Sequence, residues 1–285
     1  MEFISPASKD EALDVLGRLG PDATVLAGGT DVMVQYLRGE IAPGHLVYIG
    51  GLDALDGIAA DGHEFSIGAL TPHRRLATDP LVLDLLPAVS AAAATVGGWQ
   101  TQAVGTIGGN VCNASPAADL AAPLLTADAM VNLESGRAKR SVRLADFLIG
   151  RRQTAREPDE LVTGLSVTPR QGRTGDVYLK VGRRGAMEVA LVGLSTRLML
   201  DDSDRVEAVA IAVCSVAPVP YRASEAEEVL KGTRLEAEAI REAAAVLATS
   251  ASPVSDFRAD ARYRTRVLGA LLERALRMAA ERAAA

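Results

Sequence analysis

The chain has 285 residues, 48% of them hydrophobic and 23% charged, which is typical of a globular protein that buries a core. Its net charge of −6 argues against a nucleic-acid partner, because phosphate contacts need a basic surface. No apolar run reaches the roughly 20 residues of a membrane-spanning helix, and the N-terminus lacks the basic and apolar regions of a signal peptide. We therefore expect a cytoplasmic protein without a membrane span.

The chain offers few residues that could bind a metal. Its cysteines are Cys112 and Cys214, and its histidines are His45, His63 and His73. Two distant cysteines are too few for a disulfide framework, a zinc site or an iron–sulfur cluster. The histidines show no metal-ligand spacing. The sequence thus predicts no metal site in this chain.

The first part of the chain alternates short apolar runs with helical patterns and is punctuated by glycine. The periodicity predicts helices over 10–19, 31–37, 72–77, 81–96 and 119–128. Short apolar runs predict strands over 24–27, 45–49, 64–70, 130–134 and 161–167. The stretch 99–116 has little periodicity, and we predict no element there.

The second part has strand-like runs first and helices after them. The predicted strands cover 178–181, 189–200 and 206–213, with a hairpin loop at 201–204. The predicted helices cover 223–230, 235–247 and 259–278. This order is typical of an α+β domain in which helices cover a small antiparallel sheet. The composition changes over 169–176, so we divide the chain into 1–172 and 173–285.

The first informative segment is the loop 27–31, which reads Ala27-Gly28-Gly29-Thr30-Asp31 between a predicted strand and helix. Glycines let a ligand phosphate approach the backbone closely, and the start of a helix favours an anion. The Thr30 hydroxyl can add a donor. The alternative is a plain tight turn in which Thr30 or Asp31 caps the helix.

The second segment is Gly105-Thr106-Ile107-Gly108-Gly109-Asn110, followed by Asp119 near a predicted helix start. Its small residues suit a backbone that wraps closely around a long polar ligand. Asp119 either accepts from a ribose hydroxyl or complements the helix dipole. Neither loop matches the dinucleotide fingerprint or the P-loop. The residues alone therefore indicate a pyrophosphate-bearing ligand held by two backbone loops.

These two loops resemble the flavin signatures of one family, the FAD-binding medium subunits of the molybdenum hydroxylases. That family includes the flavin subunits of xanthine dehydrogenase, aerobic carbon monoxide dehydrogenase and azaheterocycle hydroxylases. Further segments continue the resemblance in the same order along nearly the whole chain: residues 113–120, 178–184, 217–227 and 252–264. Several motifs in the right order are far more specific than any single one.

The resemblance implies an α+β fold. A two-lobed FAD-binding domain of the molybdenum hydroxylase and vanillyl-alcohol-oxidase-like type would occupy 1–172, and a smaller α+β domain with an antiparallel sheet and helices would occupy 173–285. It also implies residues that contact FAD. These would be Val25, Leu26, Ala27, Gly28, Gly29, Thr30, Asp31 and Val32 in the first loop, Thr106, Ile107, Gly108, Gly109 and Asn110 in the second, and Asp119, Val162 and Lys180 elsewhere.

The resemblance further implies an electron-transfer role. An iron–sulfur small subunit, with two-iron clusters, and a large subunit with the molybdenum cofactor would be partners, and FAD would pass electrons to an external acceptor such as NAD, oxygen or a quinone. The cofactor performs such chemistry while the protein positions it, and we identify no catalytic residue. The alternative is a self-contained FAD-dependent oxidase or reductase with the same FAD fold.

Four other features of the sequence need an interpretation. His73 is either a functional base or, as we expect, a surface histidine at a helix start. Cys112 is expected to be a small buried residue rather than a redox partner. Trp99 either covers the flavin or packs against the protein. The arginines between Arg258 and Arg282 are mixed with acidic residues, and we expect them on a solvated helix face.

Overall fold

The structure is a computed structural model that describes residues 1–62, 64–169 and 172–285. His63, one of the histidines without metal-ligand spacing, lies outside the described residues. Residues 170 and 171, within the predicted boundary stretch, also lie outside them.

The first lobe is a small parallel sheet with a helix on it. Its elements are β1 (Glu2–Ile4), α1 (Lys9–Leu19), β2 (Ala23–Leu26), α2 (Val32–Leu37) and β3 (His45–Tyr48), with β3 between β1 and β2. The α1 helix begins at Ser8, whose side chain accepts from the Glu11 amide, and ends at Gly20 with a φ of 54°. Its buried face, which includes Leu13 and Leu16, packs against Val47.

The second lobe is an antiparallel sheet with short helices beside it. Its strands are β4 (Ile58–Ala60), β5 (Phe65–Gly68), β6 (Met130–Glu134), β7 (Lys139–Arg143) and β10 (Leu161–Val167), in the order β4-β5-β10-β6-β7, and β8 (Leu148–Gly150) pairs with β9 (Gln153–Thr154). Its helices are α3 (His73–Leu76), α4 (Pro80–Leu85), α5 (Pro87–Ala93), α6 (Trp99–Val104), α7 (Ile107–Asn113), α8 (Ala121–Thr126) and α9 (Leu144–Phe147). Phe65, Phe147 and Leu124 are fully buried in the core between them.

Two predictions for this lobe are wrong. The single helix predicted over 81–96 is divided into α4 and α5, because Pro87 has no amide proton and starts a new helix. The stretch 99–116, where we predicted no element, contains α6 and α7. Helices of six and seven residues make about two turns, which is too short for a clear periodic pattern.

The last part of the chain is an antiparallel sheet covered by helices. Its elements are β11 (Thr174–Val181), β12 (Val192–Leu200), β13 (Val206–Cys214), β14 (Tyr221–Arg222), α10 (Ser224–Leu230), α11 (Ala237–Ser250) and α12 (Ala261–Ala284). The expected hairpin joins β12 to β13. Most arginines of α12 lie on its exposed face, as expected, while the opposite face is buried in the core. Arg264 is an exception: it is 2% exposed, and its guanidinium donates to the carbonyls of Leu191 and Ser215.

The α+β class is therefore confirmed, with a two-lobed part followed by an antiparallel sheet and its helices. Among the described residues, no helix combines the length and the apolar character that crossing a bilayer requires.

Candidate cofactor-binding site

A cleft with a volume of about 360 Å³ separates the two lobes, and we call it the inter-lobe cleft. The first lobe contributes the loop between β2 and α2, and the second contributes α7 and the start of β10. Most of the residues predicted to contact FAD line it: Val25, Ala27, Gly28, Gly29, Thr30, Asp31, Val32, Thr106, Gly108, Gly109, Asn110 and Val162. The two glycine loops, although far apart in sequence, thus face the same space.

The first loop needs its glycines for two different reasons. A Cβ on Gly28 would lie 1.7 Å from the carbonyl oxygen of Val104, so the loop packs directly on the backbone at the end of α6. Gly29 has a φ of +73°, a left-handed conformation that side chains rarely adopt. The loop conformation is therefore set by packing and by backbone geometry.

The first loop also has hydrogen-bond donors without acceptors. Within the described chain, the backbone amides of Gly29, Thr30 and Asp31 make no hydrogen bond to another residue. Asp31 stands at the N-cap of α2, but its side chain makes no capping bond. The alternative of a turn with a side-chain cap is thus not realised. The α2 helix has six residues, so it supplies only part of the dipole expected there.

The second loop forms the start of α7. The Thr106 hydroxyl accepts from the Gly109 amide at 3.1 Å and caps the helix. A Cβ on Gly108 would lie 2.7 Å from the carbonyl oxygen of Ala69, so this glycine is needed for packing. Gly109 differs because it is exposed, and an added Cβ would meet only the Thr106 hydroxyl, at 3.1 Å. Packing does not explain the missing side chain at Gly109, and the cleft beside it is open.

Two buried polar atoms of the cleft wall lack partners among the described residues: Asn110 Oδ1 and His73 Nδ1. His73 is 3% exposed, so the expectation of a surface histidine is wrong. Pro72 pairs with Thr106, and the His73 amide donates to the Gly105 carbonyl at 2.9 Å, which holds the start of α3 beneath the second loop. Burial lowers the pKa of His73 to about 4, so its imidazole is neutral at pH 7.

Asp119 and Lys180 lie outside the lining of the cleft and bind each other. Lys180 Nζ donates to Asp119 Oδ2 at 2.8 Å and to the Thr95 carbonyl at 2.9 Å. The Tyr178 hydroxyl donates to Asp119 Oδ1 at 2.6 Å. Burial raises the pKa of Asp119, and Lys180 opposes that effect. Both carboxylate oxygens have partners within the protein, so the expected contact of Asp119 and Lys180 with FAD stays a prediction.

Two further residues that we predicted to contact FAD, Ile107 and Leu26, do not line the inter-lobe cleft. Ile107 is fully buried in the core of the second lobe, where the α7 backbone turns its side chain away from the cleft. Leu26 is buried and lines a second cleft, of about 480 Å³, on the other side of the first loop together with Tyr48 and Val104.

Several cleft residues were not predicted. Arg152 and Arg156 come from the segment before β10, and they bring positive charge to the cleft. Gln35 Nε2 donates to Asn113 Oδ1 at 3.0 Å and so links the two lobes across it. No local motif marks the two arginines, whereas Asn113 belongs to a segment that carries the family resemblance.

Cys112 and Trp99 differ in part from what we expected. Cys112 is half-buried and lines the cleft, and burial raises the pKa of its thiol to about 11. It therefore remains a thiol at neutral pH. Trp99 is 73% exposed, lies outside the cleft lining and contacts the guanidinium of Arg74, 4.6 Å from the ring centre. Within the described ranges, no group of His, Cys, Asp and Glu side chains is arranged to bind a metal.

Comparisons with known proteins identify the family. Residues 1–170 match the family model of the FAD binding domain in molybdopterin dehydrogenase, and residues 177–279 match that of the CO dehydrogenase flavoprotein C-terminal domain. The carbon monoxide dehydrogenase medium chain of Hydrogenophaga pseudoflava is 31% identical over 99% of this chain and 98% of its own. A putative xanthine dehydrogenase FAD-binding subunit of Escherichia coli is 30% identical over 95% and 92%.

The fold agrees with these sequences. A solved structure of the Hydrogenophaga pseudoflava carbon monoxide dehydrogenase, in a form that lacks the Mo-pyranopterin moiety, superposes with a TM-score of 0.95 and 32% identity over 99% of this chain and 98% of that one. FAD binding and an oxidoreductase function follow from the family. This chain therefore belongs to the FAD-binding flavoprotein subunits of the molybdenum hydroxylases.

Proposed function

We propose that this chain is the electron-transfer subunit of a molybdenum-containing hydroxylase or dehydrogenase complex. It would receive electrons from an iron–sulfur small subunit and pass them through FAD to an external acceptor, while a large subunit carries the molybdenum cofactor. The observation that supports this most is the inter-lobe cleft, where two glycine loops face each other and leave unpaired polar atoms. The cytoplasmic location expected from the sequence stays a prediction.

The residues of the cleft fit FAD. The free amides of Gly29, Thr30 and Asp31 are donors for a pyrophosphate, and the guanidinium groups of Arg152 and Arg156 lie in the same cleft. Glu160 also lies there, but Arg140 donates to both of its carboxylate oxygens, at 2.6 and 2.8 Å, so its charge is compensated. Asp31 lines the cleft too, and Arg152 also pairs with Glu40 at 3.2 Å, so the free backbone amides, rather than a net positive charge, are the donors that best fit a pyrophosphate.

Gly109 and Val162 suit the rest of the cofactor. Gly109 leaves open the space that a side chain would fill, and Val162, 4% exposed, offers an apolar wall from β10. FAD, when bound, supplies the redox chemistry. The chain supplies position: its loops hold the cofactor, its apolar wall excludes water, and the neutral His73 and Cys112 place no charge beside it.

In this proposal, the iron–sulfur clusters and the molybdenum cofactor are bound by partner chains. The sequence has two cysteines, Cys112 and Cys214, and an iron–sulfur cluster held by thiolates needs about four. The relatives named as medium chains and FAD-binding subunits support a subunit role for this chain as well. The pocket for the hydroxylated substrate would lie in another chain of the complex, the one that carries the molybdenum cofactor.

Purification of the native complex through an affinity tag on this chain tests the proposal. We expect an oxidised-flavin spectrum, FAD released intact by acid, and iron and molybdenum in the same chromatographic peak. After reduction with dithionite, the flavin band should recover on addition of NAD, oxygen or a quinone. A tagged chain that carries FAD alone and turns over a substrate without partners would instead identify the self-contained oxidase or reductase.

A further inference from the structure

His73 is a part of the cleft wall to which neither the family resemblance nor the proposed function gives a role. Its side chain is 3% exposed. The Cδ2 and Nε2 edge of the ring packs against Gly105, where an added Cβ would lie 3.1 Å from Cδ2 and 3.3 Å from Nε2. The other nitrogen, Nδ1, is buried without a partner among the described residues, in a side chain that lines the cleft.

A buried ring nitrogen without a hydrogen bond lowers the stability of a protein, because it loses its contact with water and gains nothing in return. The large majority of buried polar side-chain atoms in native proteins have a partner. In the protein without FAD, an apolar ring of the same shape would avoid this loss of stability. Asn110 Oδ1 is also unpaired, in a second side chain that lines the same cleft, so this wall has two polar atoms available to a polar ligand.

We propose that His73 is a cofactor-positioning residue, whose Nδ1 forms a hydrogen bond with a polar heteroatom of FAD held between the two glycine loops. This inference rests on the FAD site described above. The His73 amide and the Gly105 carbonyl, 2.9 Å apart, fix α3 to the second loop. The His73 ring and the second loop therefore hold a fixed position relative to each other at the cleft.

The bond would be formed by a neutral imidazole. Burial lowers the pKa of His73 to about 4, and no charged group contributes to that shift. A neutral ring nitrogen is a directional donor or acceptor. It contributes to the orientation of the cofactor, in contrast to the arginines, which contribute charge.

Two substitutions separate this role from simple packing. His73→Phe keeps a ring of similar shape and removes Nδ1, whereas His73→Asn keeps a polar atom near the Nδ1 position and removes ring volume. Ser90→Ala is the control, because Ser90 is a buried polar residue that donates to the Ala77 carbonyl, near α3, and lies outside the cleft lining. For each protein, the Kd for FAD is measured by quenching of flavin fluorescence, and the Tm of the FAD-free chain is measured by thermal unfolding.

We expect opposite effects from the two substitutions. His73→Phe should weaken FAD binding roughly tenfold, with an unchanged or higher Tm of the FAD-free chain, because the unpaired nitrogen is gone. His73→Asn should lower the Tm but keep the Kd within roughly threefold of the wild type. Ser90→Ala should leave the Kd unchanged.

Equal FAD affinity of His73→Phe and the wild type would overturn the inference, as would a parallel loss of Tm and affinity in both His73 variants. Failure of the wild-type chain to bind FAD, alone and in the complex, would instead contradict the site itself. The two failures are therefore distinguishable.

Discussion

The inter-lobe cleft and the buried Asp119–Lys180 pair were both expected to contact FAD, yet their hydrogen bonding differs. In the pair, Asp119 accepts from Tyr178 and from Lys180, and Lys180 also donates to the Thr95 carbonyl. In the cleft, polar atoms of His73 and Asn110 have no partner among the described residues. Paired buried groups stabilise the fold, whereas unpaired groups beside an open space indicate where a ligand binds.

Loss of the Lys180 charge is expected to have the largest effect on stability. The Lys180→Met substitution leaves Asp119, with an exposed side-chain fraction of 8%, buried without its counter-charge. Breaking a buried ion pair in this way costs about 3–5 kcal/mol. Urea unfolding of the FAD-free chain should show a loss of this size.

A double substitution provides the control for Lys180→Met. In Asp119→Asn/Lys180→Met no charge is left unpaired, and the amide oxygen of the introduced asparagine can still accept from the Tyr178 hydroxyl. We expect this protein to regain most of the lost stability. If Lys180→Met unfolds at the same urea concentration as the wild type, the pair does not stabilise the fold, and a direct role of Lys180 with FAD becomes the better explanation.

The sequence alone was sufficient to predict those parts of the site that consist of residues close together in the chain. A run of apolar residues followed by Gly28 and Gly29 predicts a strand, a tight loop and a helix, and the structure has β2, the loop and α2 in that order. The strands and helices of the last part were also predicted in the correct order. Their apolar periodicity extends over seven residues or more in most elements, which is enough for a pattern.

Long-range contacts could not be predicted. Asp119 and Lys180 are 61 residues apart, and only the packing of β11 against the second lobe brings them together. His73 was expected at the surface because a histidine after proline at a helix start is usually exposed. His73 is buried because Pro72 pairs with Thr106. Nothing in the sequence of these two distant segments indicates that they pair.

The titration of His73 gives the second prediction. Its pKa is about 4 in the folded chain and 6.5 when unperturbed, so between these values the unfolded chain binds more protons. The neutral ring contributes its full stability above pH 6.5, and this contribution is lost as the pH falls toward 4. The difference corresponds to about 3 kcal/mol. Urea unfolding of the FAD-free chain from about pH 7.5 to about pH 4.5 covers most of this loss and measures it.

His73→Phe is the reference for this titration, because a phenyl ring does not bind a proton. Other groups, such as Asp119 with its raised pKa, contribute equally to both proteins and cancel in the comparison. The wild type should lose stability on acidification more steeply than His73→Phe. Parallel stability curves over this range would mean that the imidazole is charged, or solvated, in the folded chain.

The smallest expected effect on stability comes from two glycines of the cleft. Gly28 is required by packing, whereas Gly109 lies beside open space. Gly28→Ala places a methyl group against the Val104 carbonyl, so the loop or α6 must move, which costs about 2–3 kcal/mol. Gly109→Ala meets only the Thr106 hydroxyl and stands in α7, where alanine is the better helix former. Thermal unfolding of the FAD-free chain should show a clear loss for Gly28→Ala and none for Gly109→Ala.

FAD binding by the same two variants completes the test. The methyl group of Gly109→Ala would occupy space in the cleft, so this variant should bind FAD more weakly than the wild type although its fold is intact. Gly28→Ala should lose affinity together with stability, because the first loop is displaced. If Gly109→Ala binds FAD as tightly as the wild type, the open space beside Gly109 is not used by the cofactor. The glycines of the second loop would then serve packing only, with Gly108 against Ala69 and Gly105 against Thr101 and His73.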